Sequence, residues 1–279
     1  GGDVKTLSKT ADAELTVGGF SWRSADLFKK INVYWLLSCA SPLILFFAWY
    51  TACRLQLFSA QILVPPEKVW LSFLNLLQTG ELYLHLKDSL LRLFSGFTVG
   101  AAAAIAFGIV YATNRHVKDY FSLIFNVLYQ IPIFVLIPIF ILIFGIGETF
   151  KILLIIKACF FPVALATIDA VEGVPKQYME LSQVYQLKLK NRVKYIILPS
   201  VIPPLISSLR IALGRAWLIL VAVELLAAGT GIGQMMELGR QMLRLDVVMV
   251  GVFITGMIGF ILDKSLRQVE QRFVQYKRQ

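Results

Sequence analysis

The sequence predicts an all-α, polytopic membrane protein with about six transmembrane helices. Of its 279 residues, 57% are hydrophobic and only 16% are charged, whereas about a quarter of the residues in a soluble domain are charged. The apolar residues form runs long enough to cross a bilayer, which takes roughly 20 residues per helix. Lys and Arg concentrate in the loops and tails between these runs, so the net charge of +10 reflects topology rather than nucleic-acid binding.

The apolar runs define the spans in chain order. A loop containing Pro65 and Pro66, with a short amphipathic helix at about Glu67–Leu77, separates the first two spans. The second span has a small residue at every fourth position over Gly96–Gly108, a pattern that favours close helix packing. A polar helix at about Gln234–Arg244 precedes the last span. The predicted spans are Trp35–Arg54, Ser89–Thr113, Tyr120–Phe144, Glu148–Ile168, Ile202–Ala228 and Val247–Leu262.

The charge distribution predicts the orientation of these spans. An even number of spans places both termini on the same side of the membrane as a long polar loop. Seventeen Lys and Arg residues lie on that side and five on the other, which predicts that the termini and the loop are cytoplasmic. The predicted parts of the chain are a cytoplasmic segment (residues 1–34), a transmembrane domain (35–270) with the polar loop at about 169–199, and a cytoplasmic tail (271–279).

The polar loop is too long to be a simple turn between two spans. After Pro175, which suits the first turn of a helix, the segment PKQYMELSQVYQLK is readily helical. Tyr178, Leu181 and Tyr185 fall at helical spacing and form an apolar stripe on an otherwise polar helix. Such a stripe has to be buried, either against the transmembrane helices of the same chain or against a partner.

This loop resembles the EAA loop of binding-protein-dependent ABC permeases. Glu180 begins a window that ends at Ile196–Pro199, which matches the Ile-x-Leu-Pro end of that motif in register. Leu181 and Ser182 replace its two alanines. Gln186 replaces the glycine that marks the bend after the first coupling helix, which predicts a different turn at this point.

The resemblance covers most of the chain, from about Val64 to Arg272. It is specific for the superfamily and extends to the permeases for sulfonates, taurine and nitrate. The segments that carry it, besides the loop, are Ile131–Ile155, Leu209–Met236 and Leu245–Asp263.

The resemblance implies the type I ABC importer permease fold and a set of partners. These are a second permease chain in a homodimer, two cytoplasmic ATPase subunits that bind ATP and Mg, and an external solute-binding protein. The chain has no GxxxxGK[ST] pattern, so we expect it to bind no cofactor and to leave ATP hydrolysis to the separate ATPase. The residues that the resemblance assigns to ATPase coupling are Tyr178, Glu180, Leu181, Ser182, Tyr185, Gln186, Leu198 and Pro199.

One face of the fifth span mixes charge, a small residue and Trp, which predicts a water-exposed cavity. On this face Arg210 and Glu224 lie roughly 21 Å apart along the helix axis and cannot pair directly. Pro132 and Pro138 favour a kink in the third span, which suits a gate and simple packing equally well. The predicted translocation path comprises Pro132, Pro138, Lys157, Ser207, Arg210, Gly214, Trp217 and Glu224.

Two further features of the spans bear on function. Lys157 and Arg215 are ionisable groups inside the membrane and are candidates for transient counter-charges to an anionic substrate. Alternatively, each pairs internally, snorkels or faces the other permease chain. The glycine-rich segment Gly229–Gly233 has no strand before it and no Lys after it, which favours a turn on the outer face over a phosphate loop.

The predicted function is that of a permease subunit of an ABC importer in the bacterial inner membrane. The path it forms would carry a small anion, with a sulfonate or taurine favoured and nitrate, bicarbonate or a thiamine precursor as alternatives. A self-sufficient secondary transporter is the main alternative from another class, but no internal repeat is evident. A membrane-embedded enzyme or a metal site would need a constellation that two isolated histidines, three cysteines and scattered acids do not supply.

Overall fold

The computed structural model of the protein shows helices as its regular structure, and the described residues contain no strand. The chain divides into two compact units, Gly1–Ala60 and Gln61–Gln279. The described residues are 40–59, 63–227 and 229–276.

The described part of the first unit contains helix α1, residues 40–54. This helix lies within the predicted span Trp35–Arg54, of which residues 35–39 lie outside the described ranges. The predicted cytoplasmic segment, residues 1–34, also lies outside them.

The second unit consists of helices joined by short turns. Its helices are α2 (Pro66–Gln78), α3 (Glu81–Thr113), α4 (Arg115–Gln130), α5 (Ile133–Phe144), α6 (Glu148–Glu172), α7 (Lys176–Val184), α8 (Leu189–Arg192), α9 (Leu198–Ala227), α10 (Ile232–Gln241) and α11 (Leu245–Tyr276). The connection between α8 and α9 is a π-helical turn at Val193–Ile197.

Helices α3 and α6 pack in parallel along the predicted small-residue face of α3. A Cβ at Gly96 would lie 2.7 Å from the Ile155 side chain, and a Cβ at Gly108 would lie 2.7 Å from Thr167. Between them, a Cβ at Gly100 would lie 2.9 Å from the Ile156 carbonyl oxygen. The contact residues advance together along both helices, so the helices run in the same direction. Glycine is required here because the backbones approach too closely for a side chain.

The parallel packing shows that the intervening pair α4 and α5 crosses the bundle. Arg92 of α3 contacts Glu148 at the start of α6, and we call this the Arg92 end. Lys118, in the first turn of α4, lies 2.7 Å from Glu172 at the end of α6, and we call this the Lys118 end. From residue 92 to residue 113, α3 covers about 32 Å. The chain must return over this distance before α6 can begin.

This crossing is broken. Helices α4 and α5 meet at an angle of 98°. Pro132 lies at the break, where its ring removes a backbone donor and forces Ile131 into an extended conformation (φ −69°, ψ 118°). The predicted kink in the third span is therefore confirmed at Pro132, whereas Pro138 lies inside α5, which continues to Phe144.

An aromatic cluster holds α4 against the parallel pair. The ring of Phe125 stacks on Phe107 of α3 at 5.5 Å and lies 5.2 Å from Phe161 of α6. Such ring pairs contribute about 0.5–1.5 kcal/mol each beyond their buried area. The cluster fixes α4 on both long helices before the chain bends at Pro132.

Helices α9 and α11 complete the bundle in antiparallel orientation. On α9, Ser208 donates to the Pro162 carbonyl of α6 (3.4 Å), while Val223 packs on Phe150 and Leu154 nearer the start of α6. The Trp217 indole N–H donates to the Thr255 carbonyl of α11 (3.0 Å). Helix α9 therefore runs from the Lys118 end to the Arg92 end, and α11 runs back.

The described residues contain up to five of the six predicted spans. Helices α3, α6 and the Leu245–Arg272 part of α11 are each long and apolar enough to cross a membrane, and the bent pairs α4–α5 and α8–α9 bring the number to five. Two boundaries differ from the prediction. Helix α3 begins at Glu81 rather than Ser89, directly after Gly80, whose positive φ of 74° ends the preceding turn. Helix α11 continues to Tyr276, so the predicted tail at residues 271–279 begins as helix.

We expect Gly100→Ala to destabilise the protein. The new methyl group would meet backbone atoms of α6, which cannot move aside as a side chain can, and overpacking of this kind costs about 1–3 kcal/mol. Gly256→Ala in α11 is the matched control, because a Cβ there meets nothing within 4 Å. Thermal unfolding of the purified protein in detergent would measure both. Equal midpoints for the two variants would contradict the close packing of α3 on α6.

Candidate functional site

The predicted coupling loop forms a separate short helix at the Lys118 end. Helix α6 ends at Glu172, and the N–H of the following residue, Gly173, donates to the Asp169 carbonyl (2.9 Å). Helix α7 then begins directly after Pro175, as predicted, and it ends at Val184, earlier than the helical segment that the sequence suggested. The loop therefore presents a helix of nine residues between two long transmembrane helices.

The apolar stripe of α7 is exposed. Leu181 is 50% exposed and Tyr185 is 70% exposed. The side chain of Tyr178, the third member of the predicted stripe, lies outside the described residues. Ser182 faces inward and is buried, and Glu180 is exposed. Of the two interpretations of the stripe, burial against the helices of the same chain does not hold for Leu181 and Tyr185.

The bend after α7 occurs at Gln186. The N–H of Leu187 donates to the Ser182 carbonyl (3.0 Å), a bond that closes a Schellman-type helix end. Gln186 adopts a left-handed backbone with φ of 48°. The predicted change of turn at this position is therefore not observed. The bend expected for a glycine is present, although a side chain makes that backbone unfavourable.

The second half of the loop leads into α9. Ile197 is fully buried, whereas Leu198 and Pro199 are exposed. Pro199 lies in the first turn of α9, as predicted for an anchor at the start of the span. The loop is thus fixed at both ends by long helices.

The α9 face that the sequence assigned to a water-exposed cavity is buried in the chain at Trp217 and Glu224 and half-buried at Ser207, Arg210 and Gly214. Trp217 and Glu224 are at most 1% exposed. Arg210 pairs with Asp263 and Glu270 of α11, each at 3.0 Å, and the Glu270 carboxylate also accepts a hydrogen bond from Ser207. A Cβ at Gly214 would meet nothing within 4 Å. The charged groups of this face thus find partners on other helices, and its place in a translocation path stays a prediction.

Lys157 satisfies a carbonyl at the broken crossing. Its ammonium donates to the Ile131 carbonyl (2.7 Å), which lies at the end of α4 directly before Pro132. It also lies 5.3 Å from the centre of the Phe161 ring. A cation at a helix C-terminus is favourable because the last carbonyls carry partial negative charge. Of the alternatives for Lys157, internal pairing describes this structure.

The Arg92 end contains a buried polar cluster that the sequence analysis did not identify. The five guanidinium N–H groups of Arg92 all have acceptors. Two go to the Glu148 carboxylate, one to Glu224 (2.7 Å), and two to the carbonyl and hydroxyl of Thr230. Lys151 also donates to Glu148 (2.7 Å). Arg92 is therefore buried with its counter-charge Glu224, while its second counter-charge, Glu148, is 57% exposed.

The glycine-rich segment encloses Glu224. The first N–H groups of α10 point inward and donate to groups on α3 and α9. Gly233 donates to Glu224 itself (3.1 Å), Ile232 donates to the Ser89 hydroxyl (2.9 Å), and Gly231 donates to His85 Nδ1 (3.0 Å). The positive end of the helix dipole adds to the stabilisation of the carboxylate.

Glycine is needed at two positions of this turn. Gly231 has a φ of 119°, and a Cβ there would overlap with the Glu224 carboxylate. A Cβ at Gly233 would lie 2.5 Å from the Val221 carbonyl oxygen. The segment that the sequence analysis predicted as a turn rather than a phosphate loop thus encloses an anion that belongs to the chain itself. The intramembrane position of Arg92 was the sequence signal for this cluster.

We expect Arg92→Met to destabilise the protein strongly. The variant leaves Glu224 buried without its cation, and breaking a buried ion pair in this way costs about 3–5 kcal/mol. The control is Arg240→Met, because Arg240 is exposed and pairs with Glu237 on the same helix, α10. Hydrogen bonds from Arg240 and Gln241 lower the pKa of Glu237 to about 2. Thermal unfolding in detergent should show a large drop in midpoint for Arg92→Met alone. Similar midpoints for both variants would contradict the role assigned to the cluster.

We expect Gln186→Gly to stabilise the end of α7. Glycine removes the cost of about 1–2 kcal/mol for a side chain in the left-handed region. Amide hydrogen exchange of a peptide containing Leu187 should slow by a few fold. Gln183→Gly, inside α7, is the control and should accelerate exchange because glycine is unfavourable in a helix interior. Faster exchange in Gln186→Gly would show that the bend does not depend on this backbone conformation.

Comparisons with known proteins agree with this arrangement. Residues 97–275 match the family of binding-protein-dependent transport system inner membrane components. The chain is 31% identical to the putative aliphatic sulfonates transport permease protein SsuC of Bacillus subtilis (strain 168) over 87% of this chain and 88% of that protein. It is 32% identical to the taurine transport system permease protein TauC of Escherichia coli (strain K12), over 85% and 88%.

Two further comparisons extend the relationship. The nitrate import permease protein NrtB of Synechocystis sp. is 28% identical over 67% of this chain and 68% of that protein. Among solved structures, an inward-facing MetNI methionine ABC transporter chain matches with a TM-score of 0.54 at 20% identity, over 66% of this chain and 94% of that chain, which shows a common fold. The protein therefore belongs to the binding-protein-dependent ABC permease family, in the group that includes its sulfonate, taurine and nitrate relatives.

Proposed function

We propose that this permease forms the translocation path of an ATP-driven importer for a small anion, with a sulfonate or taurine favoured. Its relatives for sulfonates, taurine and nitrate support the class of substrate. In this proposal a second copy of the chain, two cytoplasmic ATPase subunits and an external solute-binding protein complete the transporter. ATP and Mg bind to the ATPase subunits. Nitrate, bicarbonate and a thiamine precursor are the alternative substrates.

The observation that carries the ATP-driven part of the proposal is the exposed stripe of α7. Leu181 lies on this short helix and Tyr185 directly after it, and both side chains are exposed beyond the ends of the long helices. Apolar groups in such a position gain about 25 cal/mol per Å² when a partner covers them. A groove on a cytoplasmic ATPase is the partner that the family supplies.

The connections of α7 explain how a partner's movement would reach the membrane. Helix α7 follows α6 after a turn at Gly173 and joins α9 through the π-helical turn. Helices α6 and α9 both continue to the Arg92 end, where Glu148 and Glu224 hold the same guanidinium. A push on α7 would therefore move two helices whose far ends are tied together, which favours a rigid-body motion over a local bend.

The distribution of Lys and Arg supports the orientation. The Lys118 end carries the loop and most of these residues, so it faces the cytoplasm in this proposal. The Arg92 end and the turn before α10 then face the side where a binding protein delivers its ligand. The protein is a multi-pass component of the bacterial inner membrane with both termini in the cytoplasm.

We expect Leu181→Asp to abolish association with the ATPase. A carboxylate in place of a leucine side chain would have to be desolvated in the groove, so recovery of the ATPase in co-purification should fall at least about tenfold. Leu243→Asp is the matched control, since Leu243 is also a strongly exposed leucine but lies between α10 and α11. Undiminished recovery of the ATPase with Leu181→Asp would contradict the assignment of the stripe.

Reconstitution separates this function from that of a self-sufficient transporter. Proteoliposomes that contain the permease, the ATPase and the binding protein should take up taurine or an alkanesulfonate only when ATP is present. Uptake by the permease alone, without ATP, would show a secondary transporter and would overturn the proposal.

A further inference from the structure

Arg215 lies on the exposed face of α9, opposite the face that packs inside the chain. It shares this face with Ile211, Leu218 and Leu226, which are all exposed. Among the described residues, Arg215 has no hydrogen bond and no ion pair. It differs in this respect from Arg92 and Arg210, which both have carboxylate partners.

The depth of Arg215 excludes two environments for its charge. It lies fourteen residues after Val201 and twelve before Ala227, or about 21 Å and 18 Å along the helix. Half of a bilayer core is about 15 Å thick, and a stem of three methylene groups does not carry the guanidinium to either surface. Contact with lipid at this depth would leave the charge unsolvated, which is costly. The exposed face of α9 therefore does not face lipid.

A second copy of the chain does not supply a counter-charge for Arg215 either. Among the described acidic residues, Glu148, Glu172 and Glu224 lie at or near helix ends. Asp263 lies deeper, within α11, but it already pairs with Arg210 (3.0 Å). Lys157 lies at a comparable depth, about 14 Å from the start of α6. At this depth the described residues therefore carry an excess of positive charge, and the one deep carboxylate is already paired. A copy related by symmetry would bring the same excess.

We propose that Arg215 is a counter-charge for the transported anion, on a water-filled wall of the translocation path formed by the exposed face of α9. This inference rests on the proposed function, because an importer for small anions needs such a group. It removes the remaining alternatives for Arg215, which are internal pairing, snorkelling and a partner chain. It also places the path on the face of α9 opposite Arg210, Trp217 and Glu224.

The chemistry of the guanidinium suits a sulfonate. Its planar set of donors can give two parallel hydrogen bonds to two oxygens of one anionic group. Because no carboxylate of the described residues pairs with Arg215, no ion pair has to be broken before Arg215 binds an anion. The interaction of one arginine with a water-exposed anion is also weak enough for the anion to leave the site, as transport along a path requires.

Thiol labelling tests the charge of this face without ATP, ATPase or binding protein. In a variant with Cys39, Cys53 and Cys159 replaced by Ala, Leu218→Cys places one thiol a helical turn from Arg215. We expect the anionic 2-sulfonatoethyl methanethiosulfonate to modify it at least about tenfold faster than the cationic trimethylammonioethyl analogue, after correction for their reaction with a free thiol. The anionic reagent is itself a sulfonate. Adding Arg215→Met should remove the preference.

The control variant removes a positively charged side chain from another helix, α11. Lys264→Met on α11 also lowers the charge by one, but it lies near the Lys118 end and should leave the preference at the introduced thiol unchanged. Three outcomes would overturn the proposal. These are no reaction of the thiol with either reagent, a preference that survives Arg215→Met, and a disulfide-linked dimer of the Leu218→Cys variant in which the thiol is closed to both reagents.

Transport measurements then separate this inference from the proposed function. In proteoliposomes with the ATPase and the binding protein, Arg215→Glu should lower ATP-dependent uptake of taurine at least about tenfold, and Arg215→Lys should retain most of it. Both variants should still co-purify with the ATPase. If the labelling preference holds and the wild type takes up no sulfonate or taurine, the substrate assignment fails and the charged path stands. If the wild type transports and Arg215→Glu transports equally well, the role of Arg215 fails.

Discussion

The arrangement of the long helices depends on the buried guanidinium of Arg92. Burying a charge in a membrane protein is costly unless its hydrogen-bond donors are all satisfied. The acceptors for Arg92 come from the start of α6, the end of α9 and the turn before α10, so these segments must meet at one point on α3. Glu224 is held in turn by Ser89 and Gly233. The close approach at Gly231 follows from the same requirement, because the turn has to wrap around the carboxylate.

Much of the bundle could be predicted because membrane thickness and backbone chemistry constrain the sequence directly. Span lengths follow from the bilayer, and the break at Pro132 follows from the ring of proline. The glycine face of α3 was visible as a four-residue period, and Gly100 lies where that period predicts close contact. The start of α3 was missed because Glu81–Asp88 is polar, and hydropathy does not distinguish the polar end of a long helix from a loop.

The environment of α9 could not be predicted, because a helical wheel shows which residues share a face but not what covers it. Arg210, Trp217 and Glu224 do share a face, as the spacing indicated. Their partners are on other helices and far away in sequence, for example Asp263 on α11 and Arg92 on α3. Pairing draws polar groups inward in a membrane protein, so polarity alone does not mark an aqueous path there. The partner of Lys157 is a backbone carbonyl, which has no side-chain signal at all.

The same reasoning explains why an unpaired charge is more informative than a polar face. The polar groups of α9 that have partners serve the architecture, since they join α9 to α3 and α11. Arg215 has no partner in the described structure, and its position at the centre of the span gives it access to neither surface. Helix α9 connects the exposed stripe of α7 at one end with the Arg92 cluster at the other. A rigid movement of α9, driven from α7, would therefore carry Arg215 with it, so that one helix couples the partner surface to the charge in the path.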